Sequence, residues 1–483
     1  MTEEIPNNLR KAVVKIIVHN TSLNWFIPFQ NTHDNEASGT GFYVGDNLFL
    51  TCAHVVKNAV SIWVSGSYLS KRKIKAEIVA ISPVIDVALI RTEKDAFTDN
   101  LVPLEYADSD KIKLGNNVAT IGYPLSLHKT KITSGTISGR QRRFIQTDAP
   151  INPGNSGGPL LYKGKVVGIC AAKIGSNVVE NVGLVIPSKQ FTVFLKDCED
   201  KISSTPYLHR TPSLDADFQN LSPGMQLYHN ITNNIGYPIY KLYPYSPFLK
   251  CGLQENDILC MFDGHNIDYY GDVSVNFSDQ KIHLNHLLPR YGINDKIRIS
   301  YLRPNVDGDL TEHETILDLS NNRPYSIRTM YNKFEEVQYE CWGGFIVMPL
   351  YCNHIMYKKS SSFKIMLSLS KYFERSKRNK NLLFITKVFG GGISKLDKNI
   401  TMGAIIKSVN GIEVHTIDEY RKAIIQPQLK NGHQFLNMKF DNSADLLIDM
   451  ETLHQEDKRK SMFHHYKLSP LWDEISVIDF DLD

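Results

Sequence analysis

Short strand-forming runs separated by Gly, Pro, Asn and Asp dominate the first 200 residues, and this pattern restricts the fold more than any other feature. The runs lie at residues 41–45, 48–51, 76–81, 87–91, 118–122 and 166–169. Many short strands with turn residues between them are typical of a β-barrel or a β-sandwich. We therefore predict an all-β domain at the N-terminus, which a short helix at residues 191–199 closes.

The chain is too long for a single hydrophobic core. Single cores stop growing near about 250–300 residues, and this chain has 483. The polar, proline-containing segments 203–213 and 321–325 have the composition of linkers. We predict four segments, at residues 1–204, 214–322, 326–450 and 451–483. The second and third combine strands with helices, which we expect near residues 281–288 and 417–425.

The second and third segments are predicted to be divergent copies of one unit. Each contains a strand followed by an Asx-Gly turn, Asp263-Gly264 in one and Asn410-Gly411 in the other. Self-similarity of this kind indicates repeated domains. Beyond residue 450 we predict a charged helix at 451–460 and an acidic tail at 473–483, which form a surface element or a partner contact.

Charge and composition argue against several classes of partner. A net charge of +3 gives no reason to expect nucleic acid or an anionic membrane. There is no signal-peptide pattern and no run of about eighteen apolar residues, so we predict a soluble protein that starts near residue 1. Seven widely spaced cysteines without a C-x-x-C pair favour the cytoplasm or another reducing compartment, with export by a non-classical route left open. We predict no cofactor and no metal site.

The segment Asn152-Pro-Gly-Asn-Ser-Gly-Gly-Pro159 is the strongest local signal for chemistry. A serine hydroxyl is a poor nucleophile, and it needs a base and nearby backbone N–H groups for an oxyanion. Glycines on both sides of Ser156 permit a tight turn and let a substrate backbone approach closely. A glycine-rich hairpin with an incidental serine is the alternative interpretation of this segment alone.

Two residues upstream of Ser156 complete a catalytic set. His54 follows a strand, and Asp86 interrupts an apolar run at residues 84–90. An unpaired carboxylate in such a run is costly, and an imidazole N–H is a natural partner for it. A histidine alone is more often structural. The order His, Asp, Ser matches the triad of the chymotrypsin-like double barrel and differs from subtilisins and α/β-hydrolases.

These motifs together resemble the successive signatures of HtrA/Deg serine proteases. The matching stretches are residues 38–42, 50–56, 86–90, 122–124, 154–158 and 183–187. The segment 246–259 resembles an HtrA-type PDZ domain. The layout is similar to the plant Deg proteases with two PDZ domains, including a short insertion at 25–30 and a divergent second PDZ domain around 344–349. The resemblance implies a multi-domain protein, an all-β chymotrypsin-like double β-barrel followed by two α+β PDZ domains.

By this resemblance, Ser156 is the nucleophile, His54 the general base and Asp86 the residue that orients His54. The N–H groups of Gly154 and Ser156 form the oxyanion hole. The resemblance also implies a substrate-binding set around the S1 pocket, which consists of Ile151, Ala172, Lys173, Val182 and Leu184. Lys173 stands where relatives usually have an apolar residue. If it points inward, specificity shifts toward polar or acidic side chains; if it points outward, a small aliphatic preference stands.

The resemblance implies that the first PDZ domain binds peptide C-termini or internal segments by adding a strand to a sheet edge. Its candidate loop is 221–225, with Leu221, Gly224 and Met225 as peptide-binding residues, and that of the second PDZ domain is 342–345. For the second domain, peptide binding and a role in assembly both stay open. Self-association into a trimer, with a hexamer as the larger form, is implied in the same way.

Two functions follow, from different classes. The first is an ATP-independent endopeptidase that cleaves unfolded or damaged polypeptides and is regulated by its PDZ domains and its oligomeric state. The second is a PDZ-based scaffold or holdase chaperone with a latent protease domain. The complete His54, Asp86 and Ser156 set favours the first, because an inactive relative usually lacks at least one member.

Overall fold

The structure, a computed structural model, describes residues 6–69, 72–94, 97–127, 129–174, 182–202, 206–320, 324–357, 363–390 and 401–476. Contacts divide the chain into two units, Met1–Thr21 with Asp34–Arg323 and Ser22–His33 with Pro324–Asp483. This division does not test the finer boundaries expected from the sequence, which remain predictions. The acidic tail lies outside the described residues beyond residue 476.

Six strands of the first unit form a closed antiparallel ring. In space they follow the order β5, β4, β1, β2, β3, β6, and β6 pairs back onto β5. Their bounds are β1 (Val13–Leu23), β2 (Asn31–Gly45), β3 (Leu48–Thr51), β4 (Ala59–Ser65), β5 (Ile74–Ser82) and β6 (Val87–Thr92). Two short helices accompany them, α1 (Asn7–Lys11) and α2 (Ala53–Val56).

A second closed barrel follows along the chain, in the spatial order β10, β11, β12, β9, β8, β7. Its strands are β7 (Asn117–Gly122), β8 (Lys131–Gln141), β9 (Phe144–Thr147), β10 (Pro159–Tyr162), β11 (Lys165–Ile174) and β12 (Val182–Pro187). Branched aliphatic side chains such as Val118, Ile145 and Leu160 fill its core. The helix α3 (Ser188–Cys198) then ends this part, close to the predicted position. The two barrels confirm the predicted double β-barrel fold.

The remainder of the first unit contains a five-strand path, β14, β15, β16, β20, β21, preceded by β13 (Tyr207–Leu208), which pairs with β5. The strands are β14 (Ala216–Phe218), β15 (Tyr237–Leu242), β16 (Ile258–Phe262), β17 (His265–Asn266), β18 (Asp272–Val273), β19 (Ile282–His283), β20 (Lys296–Pro304) and β21 (Leu310–Asp318). The helices are α4 (Pro223–Tyr228), α5 (Pro247–Lys250) and α6 (Leu284–Leu287). The predicted helix near 281–288 begins later than expected, because Ile282–His283 form β19; α6 follows and continues into a 3₁₀ turn at Leu288–Arg290.

The second unit is built on one sheet, in the order β22, β23, β24, β25, β28, β27. Its strands are β22 (Glu340–Trp342), β23 (Phe345–Pro349), β24 (Leu383–Val388), β25 (Ile405–Val409), β26 (Ile412–Glu413), β27 (Gln428–Lys430), β28 (His433–Phe440) and β29 (Asp445–Asp449). The helices are α7 (Cys352–Met356), α8 (Phe363–Leu369), α9 (Ile417–Ile424), α10 (Met450–His464) and α11 (Pro470–Ser476). The predicted helix at 417–425 is confirmed, and a Thr416–Glu419 capping box begins it.

Two details of this unit were not expected from the sequence. Phe26, from the short insertion, is 6% exposed and packs in a core with Ile327, Ile346 and Phe384. The charged helix α10 was expected to form a surface element or a partner contact, yet its residues Leu453, Asp457 and Lys460 are buried within this unit. One face of α10 therefore belongs to the core, because its apolar and long side chains lie against the sheet.

No helix in the described part of the chain has the length and apolar character needed to cross a membrane.

Candidate active site

His54 and Asp86 form the best-defined polar pair among the predicted site residues. His54 Nδ1 lies 2.7 Å from Asp86 Oδ2. The backbone N–H of His54 donates to Asp86 Oδ1 at 2.8 Å, and that of Ala53 donates to the Asp86 carbonyl at 3.1 Å. One aspartate therefore orients the ring and also caps the start of α2. The His54 side chain is 41% exposed, so a reactant in solvent can reach the ring.

Strand pairing brings these two residues together. β3 pairs with β6 in a register that places Thr51 opposite Ala88. His54 lies just beyond the end of β3, and Asp86 lies just before the start of β6, so both emerge at the same end of the pair. Asp86 adopts a positive φ of 66°, a conformation that Asp tolerates better than most residues.

Ser156 lies in a loop, residues 152–158, that is fixed to both barrels. The Thr40 N–H on β2 donates to the Ser156 carbonyl at 2.8 Å, and the Gly157 N–H donates to the Cys170 carbonyl on β11 at 2.8 Å. The Ser156 hydroxyl donates to the Ala171 carbonyl at 3.0 Å. Across the described residues, no hydrogen bond joins Ser156 to the His54 ring. Such bonds are often long without a substrate and tighten when one binds.

The two predicted oxyanion donors are available. In the described residues, neither the Gly154 N–H nor the Ser156 N–H donates to a protein acceptor. Gly154 has a φ of 99° and Gly157 a φ of 88°. A Cβ on Gly157 would lie 2.1 Å from the Thr40 carbonyl oxygen. This turn therefore requires glycine, as the sequence motif indicates.

The predicted pocket residues differ in burial and in their position in the second barrel. Ile151 is 3% exposed and packs in the core of the second barrel. Val182 and Leu184 are half-buried on β12, paired with the β11 backbone at Ile174 and Ala172. The side chains of Ala172 and Lys173 lie outside the described ones.

Cys52 lies beside the His54 and Asp86 pair. Its thiol is buried, donates to the Cys170 carbonyl at 3.3 Å, and lies within 4.8 Å of ligand atoms of His54 and Asp86. Burial, and next the charge of Asp86, raise the pKa of this thiol well above its usual value. Metal binding needs a thiolate, and His54 and Asp86 already bind each other. We therefore assign no metal to this cluster.

The segment proposed for peptide binding in the middle of the chain begins a helix. Leu221 is buried and its N–H donates to the Tyr269 carbonyl at 3.2 Å. Ser222 Oγ caps α4 by accepting from the Met225 N–H at 3.2 Å. Gly224 lies in the first turn of this helix. Two N–H groups of the segment are thus used within the chain, and peptide binding at Leu221, Gly224 and Met225 stays a prediction.

The corresponding segment of the second unit, 342–345, is a tight hairpin. Trp342 pairs with Phe345 across the turn Gly343-Gly344, whose φ values are 66° and 86°. β22 covers one edge of β23 and β24 covers the other. A Cβ on Gly344 would lie 2.3 Å from Lys460 Nζ, so α10 fills the space over the turn.

Thr40 lies in the matching stretch 38–42, where the sequence alone indicates no role for it. The structure shows that Thr40 is fully buried and that its hydroxyl donates to the Gly154 carbonyl at 2.6 Å. A hydroxyl residue between two glycines, at 39 and 41, was the signal that could have identified it.

Several known proteins are similar to this chain. Residues 39–169 match the trypsin-like peptidase domain family. The chain is 26% identical over 429 residues to the putative protease Do-like 3, mitochondrial, of Arabidopsis thaliana, covering 86% of this chain and 72% of that protein. It is 32% identical over 310 residues to the serine protease HTRA1 of Xenopus tropicalis, covering 60% and 65%. The solved HtrA-type protease AlgW with decapeptide is 22% identical, with a TM-score of 0.47, covering 65% of this chain and 96% of that one.

The sequence matches and the double barrel lead to one assignment. The chain carries a trypsin-like peptidase domain and is homologous to the Do-like, DegP and HtrA serine proteases.

Proposed function

We propose that the protein is an ATP-independent serine endopeptidase that cleaves unfolded or damaged polypeptides with a His54–Asp86–Ser156 triad. The observation that carries this proposal is the double contact of Asp86 with the ring and backbone of His54. This contact selects the His54 tautomer that carries a proton on Nδ1 and leaves Nε2 free to act as a base.

In the proposed reaction, Ser156 Oγ attacks the carbonyl carbon of the scissile peptide bond and its proton passes to His54 Nε2. The carbonyl oxygen becomes an oxyanion that accepts from the Gly154 and Ser156 N–H groups. The C–N bond then breaks, and His54 returns the proton to the leaving amine. Water then attacks the remaining ester and gives its proton to His54. His54 passes this proton to Ser156 Oγ, which releases the acid and restores Ser156.

We propose that Ile151, Ala172, Lys173, Val182 and Leu184 surround the S1 pocket. Half-burial of Val182 and Leu184 supports a direct role for these two side chains. Ile151 belongs to the barrel core, so its contribution is to support the residues that line the S1 pocket.

We further propose that the second unit, with the PDZ-like segment 326–450, serves in assembly or docking and does not bind peptide at residues 342–345. Strand addition needs an open sheet edge, and both edges of β23 are paired. Peptide binding is assigned to the PDZ-like segment 214–322. Self-association into a trimer or hexamer completes the proposal, and sedimentation should then give a multiple of 54.9 kDa.

Cleavage of an unfolded protein such as casein tests the activity. Ser156→Ala is expected to lower turnover by about 10⁶-fold, while Ser320→Ala, at an exposed serine, is expected to retain it. Equal casein degradation by wild type and Ser156→Ala removes the triad assignment. If neither protein cleaves casein and both suppress its aggregation, the scaffold or holdase function replaces the protease function.

A further inference from the structure

The peptide groups of the Ser156 loop are almost completely engaged in hydrogen bonds. All five consecutive carbonyls from 152 to 156 accept a hydrogen bond. Backbone N–H groups bind four of them: Asn155 donates to the carbonyl of 152, Leu125 to that of 153, Gly158 to that of 155 and Thr40 to that of 156. The Thr40 hydroxyl donates to the carbonyl of 154. The N–H groups of 155, 157 and 158 all donate. From 154 to 158, within the described part of the chain, the two N–H groups left without a protein acceptor are those proposed for the oxyanion.

This selectivity follows from peptide planarity. The carbonyl and the N–H of one trans peptide unit point in opposite directions, so fixing one fixes the other. The Leu125 N–H holds the Pro153 carbonyl at 2.7 Å, and this contact sets the direction of the Gly154 N–H. The Gly158 N–H holds the Asn155 carbonyl at 2.9 Å, and this contact sets the direction of the Ser156 N–H.

One side chain links these contacts. The Thr40 hydroxyl donates to the Gly154 carbonyl at 2.6 Å and accepts from the Tyr123 N–H at 3.0 Å. A hydroxyl can donate and accept at once, which a backbone group cannot. The same oxygen thus joins β2, the turn at 123–125 and the Ser156 loop. Thr40 is fully buried, so no water competes for these bonds.

The turn that Thr40 supports has an unfavourable backbone. Leu125 adopts φ 54° and ψ 33°, inside the short helical turn Pro124–Ser126. This left-handed conformation is uncommon for a residue other than Gly, Asn or Asp. The Leu125 side chain is 69% exposed, so burial of the side chain does not select it. The Leu125 N–H in this turn donates to the Pro153 carbonyl at 2.7 Å, so the turn is bound to the Ser156 loop.

We propose that Thr40 is a positioning residue for catalysis, whose hydroxyl holds the 123–125 turn and the Ser156 loop in the orientation that presents both oxyanion donors before substrate binds. The proposal rests on the proposed protease function and deepens it.

The test compares Thr40→Val, which keeps the shape and removes the hydroxyl, with Thr40→Ser, which restores the hydroxyl. Thr386→Val is the matched control, because Thr386 is a fully buried residue of the second unit whose hydroxyl also donates to a carbonyl, at 3.3 Å. For each variant, kcat and KM are measured on a peptide substrate, together with thermal unfolding.

Thr40→Val is expected to lower kcat by about 10²-fold, as for loss of one oxyanion contact, with KM changed less than about threefold. Thr40→Ser is expected to recover kcat to within about fivefold of wild type. The affinity for a peptide boronate, which forms a tetrahedral adduct on serine, is expected to fall in parallel with kcat. In a Ser156→Ala background, Thr40→Val is expected to leave the affinity for uncleaved peptide within about threefold.

Wild-type kcat in Thr40→Val overturns the proposal and leaves the protease function intact, whereas an inactive wild type overturns both. Equal losses in kcat and in peptide affinity also overturn it, because they indicate general disorder. If Thr40→Val does not fold, substitutions at the exposed residue Leu125 test the proposal instead. We expect kcat to fall in the order Leu125→Gly, Leu125→Ala, Leu125→Val, because a β-branched residue tolerates the left-handed conformation least. Equal kcat values for the three variants overturn the proposal.

Discussion

The Asp86 carboxylate binds His54 twice, with Oδ2 at 2.7 Å from the ring Nδ1 and Oδ1 accepting from the backbone N–H at 2.8 Å. The two contacts have different consequences for mutation. The backbone contact holds the start of α2, and the ring contact selects the tautomer. Replacing the Asp86 carboxylate by an amide of the same shape therefore separates the effects of the two contacts.

Asp86→Asn is therefore expected to lower kcat by about 10⁴-fold while the protein stays folded. The asparagine oxygen can still accept from the His54 backbone, but its NH₂ group cannot accept from Nδ1–H. The measurements are kcat on a peptide substrate and the circular dichroism of the variant. Asp307→Asn, at an exposed loop position, is the control, and comparable kcat in the two variants contradicts the assigned role of Asp86.

Gly157→Ala is expected to lower both activity and stability. A Cβ there would lie 2.1 Å from the Thr40 carbonyl oxygen and 2.3 Å from Thr51 Oγ1, so the Ser156 loop has to move. Gly252→Ala is the matched control, because Gly252 also has a positive φ, 85°, and its Cβ would meet no atom within 4 Å. We expect the control to lose only about 1 kcal/mol of unfolding free energy and to keep its activity. Similar kcat values for the two variants contradict this explanation.

Asp457 is expected to make the second unit less stable at neutral pH than at mildly acidic pH. Burial is the largest cause that raises the pKa of this carboxyl from 3.8 to about 6, although Tyr466 Oη donates to it at 2.6 Å. Between those pH values the folded chain binds more protons than the unfolded chain, so the stability falls as pH rises through about 6.

Asp457→Asn removes this titration and is expected to raise the unfolding free energy at pH 8 by on the order of 1–3 kcal/mol. Urea unfolding at about pH 5 and 8, followed by tryptophan fluorescence, measures it, with exposed Asp445→Asn as the control. An unchanged pH dependence in Asp457→Asn excludes this carboxyl as the source.

His354 is expected to act with the opposite sign. It is fully buried, and burial lowers the pKa of its imidazole from 6.5 to about 3. Below pH 6.5 the unfolded chain binds the extra proton, so stability is lost on acidification, by up to about 1.4 kcal/mol per pH unit. His354→Gln is expected to be less stable at pH 8 and to lack this slope. The same urea series at several pH values checks it, and a slope equal to that of wild type contradicts the prediction.

Phe26→Ala is expected to destabilise the second unit by about 3–4 kcal/mol, because the ring is 6% exposed within that unit's core. The measurement is urea unfolding by tryptophan fluorescence. Val60→Ala, at a residue 61% exposed, serves as the control. An effect of Phe26→Ala no larger than that of the control excludes the packing role of the insertion.

Much of the candidate site could be predicted from the sequence because its signals are local. The glycines around Ser156 specify a turn by backbone sterics alone, and Asp86 within an apolar run indicates a paired carboxylate. The helix at 417–425 could be predicted from its period and its Thr416–Glu419 cap. The helix near 281–288 was predicted to start too early, because Ile282 and His283 pair with Val273 and Asp272 before the helix begins.

The sequence by itself determined an all-β N-terminal domain and the order of His54, Asp86 and Ser156, since these follow from short-range patterns of strands, turns and special residues. The resemblance of its motifs to those of HtrA/Deg proteases then implied the double barrel. Only the tertiary structure decided that Thr40 bonds to Gly154, 114 positions away along the chain, that Phe26 packs in the second unit, and that Asp457 lies buried in a charged helix. Each of these is a contact between distant segments. Such contacts depend on which surfaces meet when the chain folds, and no local pattern encodes that meeting.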